Sequence, residues 1–307
     1  MPKWTISDIP SQTGRLAIVT GTGGLGYETA LALSQRGAEV VIAGRNAAKG
    51  RAAIEKIKGI SPRARVRFGL LDLADLASVA EFGSRTRKEN RAIDILVNNA
   101  AVMATPKRGV TADGFELQFG TNFLGHFALT MQLLPMLRQS RSPRVVQVSS
   151  GAHRIGAIHL DDLQSEKSYS PWGAYAQSKL AMLMFALELQ RRSDREGWGL
   201  MSNAAHPGYS RTDLIANGPG VDSFMARVSG LIRPFMSQTA AAGALPTLFA
   251  ATSPDAVGGG YYGPDGLGEM KGWPSKAVIG TKALDRKVAS QLWDISETLT
   301  GALVHAQ

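Results

Sequence analysis

A few side chains carry the chemistry this chain has to offer. Tyr175 and Lys179 stand four residues apart, a spacing that makes two side chains neighbours on one face of a helix. A phenol at its ordinary pKa of about 10 is a poor proton donor or acceptor at neutral pH. An ammonium beside it favours the phenolate and draws that value toward the working range. Taken alone such a pair is a common coincidence; Tyr169, for comparison, has Gly173 at the same spacing. Ser150 follows the β-branched run at 144–148 and offers a hydroxyl to a substrate carbonyl. Asn122 falls inside a helical pattern where asparagine is a mediocre helix former, which suits a polar interior role. A satisfied hydrogen bond or a solvated face is the bland alternative for each.

A second set of residues suits a nucleotide. The apolar run 16–20 leads directly into Gly21, Thr22, Gly23, Gly24, Leu25 and Gly26. Glycines there let a backbone approach a pyrophosphate, whose charge then rests on the N-terminus of the following helix. The next strand pattern ends at Gly44, Arg45 and Asn46, with Lys49 one helical turn on. A site built for NAD usually places Asp or Glu here for the ribose 2′-hydroxyl. A guanidinium instead matches a 2′-phosphate in charge and shape, so NADP(H) is preferred over NAD(H).

These residues need a frame, and the hydropathy pattern supplies one. Short apolar runs at 16–20, 39–43, 66–71, 93–97, 144–148 and 199–205 read as buried parallel strands. Helical patterns fill the intervals: 27–36, a helix capped by Asn46 and running to about 58, then 74–88, 114–139 and 173–195. A helix near 238–251, a short strand at 260–262 and a terminal helix at 285–300 complete the chain. Such alternation predicts an α/β protein, a single-domain Rossmann fold spanning 1–307. Its core is a doubly wound parallel sheet of about seven strands with helices on both faces. In these sheets ligands bind outside the carboxyl ends of the strands, where the residues above fall. Residues 209–237 read as a substrate lid, with Met225, Leu231, Ile232, Phe235 and Met236 as an apolar wall, and 265–307 as a C-terminal extension.

Composition narrows the function classes. The 307 residues carry 34 Lys+Arg against 25 Asp+Glu, a formal charge of +9. The excess gathers in one place: Arg45, Lys49, Arg51, Lys56, Lys58, Arg63, Arg65 and Arg67 are opposed only by Glu55. No aromatic-rich RNA motif or zinc-finger spacing accompanies them, so a small polyanion or a solvated helix face is preferred to nucleic acid. There is no cysteine, which excludes disulfides, thiolate metal sites and a cysteine nucleophile. His126, His153, His159, His206 and His305 show no ligand spacing, and no metal site is expected. The N-terminus lacks a signal or transit pattern and no apolar run reaches the length of a membrane span, so a soluble cytoplasmic protein is expected.

Read in order, the strand-end residues resemble the short-chain dehydrogenase/reductase family. The resemblance covers about 14–264 and rests on Thr20–Gly26, Asp72, Asn98 to Ala101, Asn122, Ser150, Tyr175 with Lys179, and His206-Pro207-Gly208. The Gly44–Asn46 run, the 25-residue gap from Ser150 to Tyr175 and the stretch from Gly260 to Asp265 are similar to the retinol-dehydrogenase-like branch. The resemblance implies that Tyr175 donates or accepts the proton, that Lys179 bonds the nicotinamide ribose, and that Ser150 orients the carbonyl. Asn122 would support a water-linked proton relay through Lys179. It further implies adenine contacts from Asp72 and Leu73, and a cofactor bed of Asn99, Ala100 and Ala101. Pro207 and Gly208 would flank the nicotinamide, with Thr212 near its carboxamide. A homodimer or homotetramer through the helix faces around Asn122 and Tyr175 is implied as well. Two features depart from the family: Ala101 replaces a common glycine, and the glycine turn is one residue short, which leaves open which N–H groups meet the phosphates. The expected activity is an NADPH-dependent carbonyl reductase, reversible as an alcohol dehydrogenase, acting on a hydrophobic or aromatic small molecule. The alternative is a non-catalytic NAD(P)-binding regulatory protein.

Overall fold

Eight strands form one sheet in the order β3-β2-β1-β4-β5-β6-β7-β8 in the computed structural model, which describes residues 3–210 and 238–302. The strands are β1 (Leu16–Thr20), β2 (Glu39–Gly44), β3 (Arg65–Leu70), β4 (Ile95–Asn98), β5 (Arg144–Val148), β6 (Met201–Ala205), β7 (Tyr261–Pro264) and β8 (Pro274–Lys276). All neighbours run parallel except β7 and β8. The antiparallel edge strand was not expected from the pattern. It is three residues long and opens on a proline, so it has neither the alternation nor the length that a pattern can register. Residues 211–237, which hold Thr212 and nearly all of the expected lid, lie outside the described residues.

Side-chain alternation splits the interior into two layers. On β1, Leu16 and Ile18 face one layer while Ala17 and Val19 face the other, as a two-residue period requires. The first layer takes α3 (Leu76–Lys88), α5 (Gly125–Leu137), α6 (Pro171–Glu196) and α8 (Arg286–Thr300); the second takes α1 (Gly24–Gln35), α2 (Ala47–Ile60) and α7 (Ala240–Thr252). The chain winds from β1 out to β3, then returns to place β4 on the other side of β1. This reversal opens a crevice at the carboxyl ends of β1 and β4, where such sheets bind ligands.

Capping residues fix the helices that matter for the site. Asn46 accepts from the Lys49 N–H at 3.0 Å and so starts α2. Ser170 accepts from the Gly173 N–H, Pro171 occupies the first turn of α6, and Gly197 closes it with φ +66°, the usual asymmetry of a well-bounded helix. The expected helix over 114–139 is interrupted. A short α4 (Leu117–Phe119) passes into a π-turn at Gly120–Leu124, and α5 follows.

Trp293 of α8 packs on Phe127 and Phe185, with ring centroids 5.0 and 5.7 Å apart, and the Arg192 guanidinium lies 4.3 Å from the Trp293 ring. Trp293 thus covers Phe127 of α5 and Phe185 of α6 within the chain. Among the described residues no helix is long and apolar enough to cross a membrane.

Candidate active site

The cofactor turn closes on itself. Gly21 bonds the Ala43 carbonyl at 2.8 Å, and with φ +99° it adopts a conformation that glycine tolerates. A Cβ on Gly26 would sit 2.4 Å from the Gly21 oxygen and 2.7 Å from Asn99 Nδ2. The turn runs directly into α1. α1 begins at Gly24, not at Tyr27 as the apolar pattern suggests, because the glycines themselves form its first turn. Gly23 caps that end without a side-chain bond, which leaves the first N–H groups of α1 for an anion. A Cβ on Gly44 would reach Thr22 Cγ2 at 2.9 Å, so the turn abuts the end of β2. Leu25 faces α7, where a Gly243 Cβ would lie 3.0 Å from its Cδ2.

Arg45, Asn46 and Lys49 are exposed at that strand end. Among the described residues neither cation forms an ion pair. Other members of the basic cluster are occupied. Arg67 pairs with Glu39 and Glu89, and Lys56 lies 4.6 Å from the Tyr27 ring. Asp72 holds the turn after β3, its Oδ1 accepting from the Ala74 N–H at 3.0 Å. Leu73 is buried in the core against Gly125, whose Cβ would lie 2.3 Å from the Leu73 backbone oxygen.

The β4 end is tied to the β1 end. Thr20 Oγ1 accepts from the N–H groups of Asn99 and Ala100 at 2.8 and 2.9 Å, and Asn99 Nδ2 donates to the Thr20 oxygen at 2.7 Å. Asn99 therefore braces the glycine turn. Ala101 has an ordinary negative φ, so its methyl group costs nothing there.

Ser150, Tyr175, Lys179 and Asn122 are brought together. Tyr175 is 6% and Lys179 3% exposed. The phenol meets the Ser150 hydroxyl, which also accepts from the Ala152 N–H at 3.2 Å. Lys179 Nζ donates to the Val148 oxygen at 2.9 Å and lies 5.7 Å from the Tyr175 ring centroid. Asn122 binds both backbone groups of Val102 and donates to Ser178 Oγ at 3.0 Å; Ser178 in turn donates to the backbone carbonyl oxygen of Tyr175 at 2.8 Å.

One electrostatic expectation is reversed. Burial pushes the Tyr175 phenol up to about 12, with the Ser150 bond opposing it, and burial lowers Lys179 to about 8. The ammonium is aimed at a strand carbonyl rather than the phenol, so desolvation outweighs attraction. At neutral pH the phenol is protonated and equipped to donate.

Three further residues, Glu269, Gln238 and His126, have no role in the sequence reading. His206 Nε2 and Glu269 Oε2 are 2.9 Å apart, and Arg154 bonds the same carboxylate at 2.6 Å. Burial raises the Glu269 pKa, but the His206 hydrogen bond, the Val278 N–H and the nearby Arg154 guanidinium outweigh it and hold the carboxyl down at about 2. This carboxylate pins the C-terminal segment beside Pro207 and Gly208, where a Gly208 Cβ would lie 2.3 Å from the Met270 oxygen. Gln238 donates to the Pro207 oxygen at 2.7 Å.

His126 is the third, fully buried and lowered to about 3 by that burial. Its value unfolded is about 6.5. The unfolded chain thus takes up a proton that the folded chain refuses. Stability from this residue is complete above pH about 6.5 and is lost as the pH falls toward 3. His126→Gln is expected to flatten the acid limb of a urea-midpoint profile over that window; an unchanged limb would contradict the assignment.

Comparison with known proteins agrees with this geometry. A family model described as short chain dehydrogenase matches residues 15–219. Human "Polyprenol dehydrogenase" is 39% identical over 300 residues, 96% of this chain and 87% of that protein. Mouse "Retinol dehydrogenase 13" is 40% identical over 298 residues, covering 95% and 86%. A crystal structure of an uncharacterised protein from Mycobacterium paratuberculosis shares 41% identity, with a TM-score of 0.81 and coverage of 97% and 98%. The chain belongs to the short-chain dehydrogenase/reductase family, in its retinol-dehydrogenase-like branch, and is an NAD(P)-dependent oxidoreductase acting on alcohol and carbonyl groups.

Proposed function

We propose that the protein is an NADPH-dependent carbonyl reductase, reversible as an alcohol dehydrogenase, for a hydrophobic substrate. The observation that carries the cofactor reading is the pair of exposed cations, Arg45 and Lys49, at the end of β2 beside the glycine turn, neither in an ion pair among the described residues. A dinucleotide fits this chain: the cradle is one that any Cβ at Gly26 would fill, and the adjoining helix end leaves N–H groups unbonded. Thr22 to Gly26 would hold the pyrophosphate, Arg45 and Lys49 the 2′-phosphate, and Asp72 the adenine side. Asn99, Ala100 and Ala101 would line the bed, with Pro207, Gly208 and Thr212 beside the nicotinamide. When bound, the cofactor supplies or takes a hydride. Relatives named for polyprenol and retinol support an apolar alcohol or aldehyde as the partner.

The chain's own residues do the rest. Ser150 holds the carbonyl oxygen, Tyr175 protonates it as an alkoxide develops, and Lys179 carries the positive charge that supports this transfer. Asn122, held by Val102 and Ser178, keeps the helix bearing both groups in register. Because the phenol is raised to about 12, reduction runs at neutral pH, whereas oxidation requires its proton to leave first. The rate of alcohol oxidation is therefore expected to climb with pH. Carbonyl reduction is expected to hold level and then fall above about pH 8, where Lys179 loses its charge. Two coincident profiles would contradict this assignment of acid and base.

Cofactor choice tests the nucleotide reading. Replacing Arg45 by Asp is expected to move the NADPH/NADH ratio of kcat/KM by about 100-fold toward NADH, the scale of one lost charge-assisted pair. An unchanged ratio would remove Arg45 from the phosphate site. NADPH binding without turnover of any carbonyl would favour a regulatory dinucleotide-binding protein instead.

A further inference from the structure

The imidazole of His126 is fully buried between the end of β1 and the turn that bears Asn122. Its Nδ1 is 2.8 Å from the Asn122 carbonyl oxygen, and its Nε2 is 2.9 Å from Thr20 Oγ1. A carbonyl only accepts, so Nδ1 carries the proton and Nε2 presents a lone pair. The Thr20 hydroxyl must then donate to Nε2, its nearer acceptor; the Val97 oxygen stands farther off at 3.3 Å. This direction leaves both lone pairs of Thr20 to the N–H groups of Asn99 and Ala100. Every donor and acceptor of the imidazole and the hydroxyl is thereby used. The chain of bonds runs from Ser178 on the catalytic helix through Asn122 and His126 to Thr20, and on to the backbone that braces the glycine turn.

The carbonyl that accepts from the ring belongs to a π-turn, a form of helix that recurs at functional sites and departs from the regular hydrogen-bond ladder. Its register is held partly by side chains. We propose that His126 is a positioning residue that locks this π-turn to the end of β1, so that the cofactor bed and the Asn122–Ser178 support of Tyr175 and Lys179 keep one relative placement. The bridge requires one donor and one acceptor about an imidazole's width apart. An apolar side chain of similar volume preserves packing and removes both.

The proposal rests on the reading that a nucleotide lies across β1 and β4, and the test separates the two. NADPH affinity by titration calorimetry and kcat at saturating NADPH are measured for the parent, His126→Leu, His126→Gln, Thr20→Val and the Thr20→Val/His126→Leu double variant. A parent that does not bind NADPH refutes the nucleotide reading. Given a binding parent, His126→Leu is expected to weaken NADPH about tenfold and to lower kcat as well. His126→Gln, which has an amide donor and a carbonyl acceptor, recovers most of both. The double variant is expected to be no worse than Thr20→Val alone, since both remove one linkage. A folded His126→Leu with the parent's affinity and kcat overturns the proposal, as do losses that add independently. Should His126→Leu not fold, Thr20→Val and His126→Gln decide: Thr20→Val with parental NADPH affinity overturns it, and a tenfold loss with recovery only in the glutamine variant supports it.

Discussion

Tyr175→Phe is expected to lower turnover by about 10³-fold while leaving NADPH affinity largely intact, within the range that a positioned acid contributes. The substitution removes one oxygen from a side chain that is already buried and packed edge-on against Trp172 at 5.9 Å. The lost atom is the one that meets Ser150, and its removal leaves that hydroxyl its bond from the Ala152 N–H. The fold therefore keeps its packing and the carbonyl loses its proton source. Parallel measurement of kcat and of NADPH binding separates this from general damage. Substantial residual turnover would assign the proton to another group, and a matching loss of affinity would make Tyr175 a structural residue.

Lys179→Met is expected to be nearly as severe, about 10²- to 10³-fold, with a different signature. Lys179 is buried, and among the described residues the one hydrogen bond of its ammonium goes to the Val148 oxygen. A charge held in so dry a place costs stability, and a methionine of similar length removes that cost. Activity is expected to collapse while the melting temperature holds or rises, the trade that functional residues commonly impose. Both kcat and cofactor affinity are expected to fall, in contrast with Tyr175→Phe. A variant that melts far below the parent would mean the ammonium holds β5 to α6, and one that keeps parental activity would remove it from the mechanism.

How much of this was legible in the sequence depended on whether a feature was local. β1 to β6, with their apolar runs, and the cap at Asn46 announce themselves because burial on both faces and helix initiation act on neighbouring residues. The site residues fall at strand ends for the same reason. Long-range features were opaque. The β8 edge strand and the Glu269 carboxylate come from a C-terminal segment with little periodicity, and nothing near Glu269 in sequence points to His206 or Arg154. The cover that α8 gives the Phe127 and Phe185 face depends on tertiary packing that helical amphipathicity does not specify. His126 had a usable signal, since it lies four residues after Asn122 on one helical face, but its second partner, Thr20, is 106 residues away.

The expected direction of the Tyr175 shift was the most instructive miss. Spacing alone places the lysine beside the phenol; it does not reveal that the ammonium is drawn to the Val148 carbonyl or how dry the site is. Proximity along a helix sets which groups can meet, and burial decides which protonation state survives.

The most direct measurement of the central claim is transfer of the label from NADPH deuterated at the nicotinamide C4 to an apolar aldehyde or ketone. The alcohol formed by the parent protein is expected to carry one deuterium on the former carbonyl carbon, and Tyr175→Phe to form almost none of it. Product lacking deuterium, or formed equally well without the cofactor, would contradict the account.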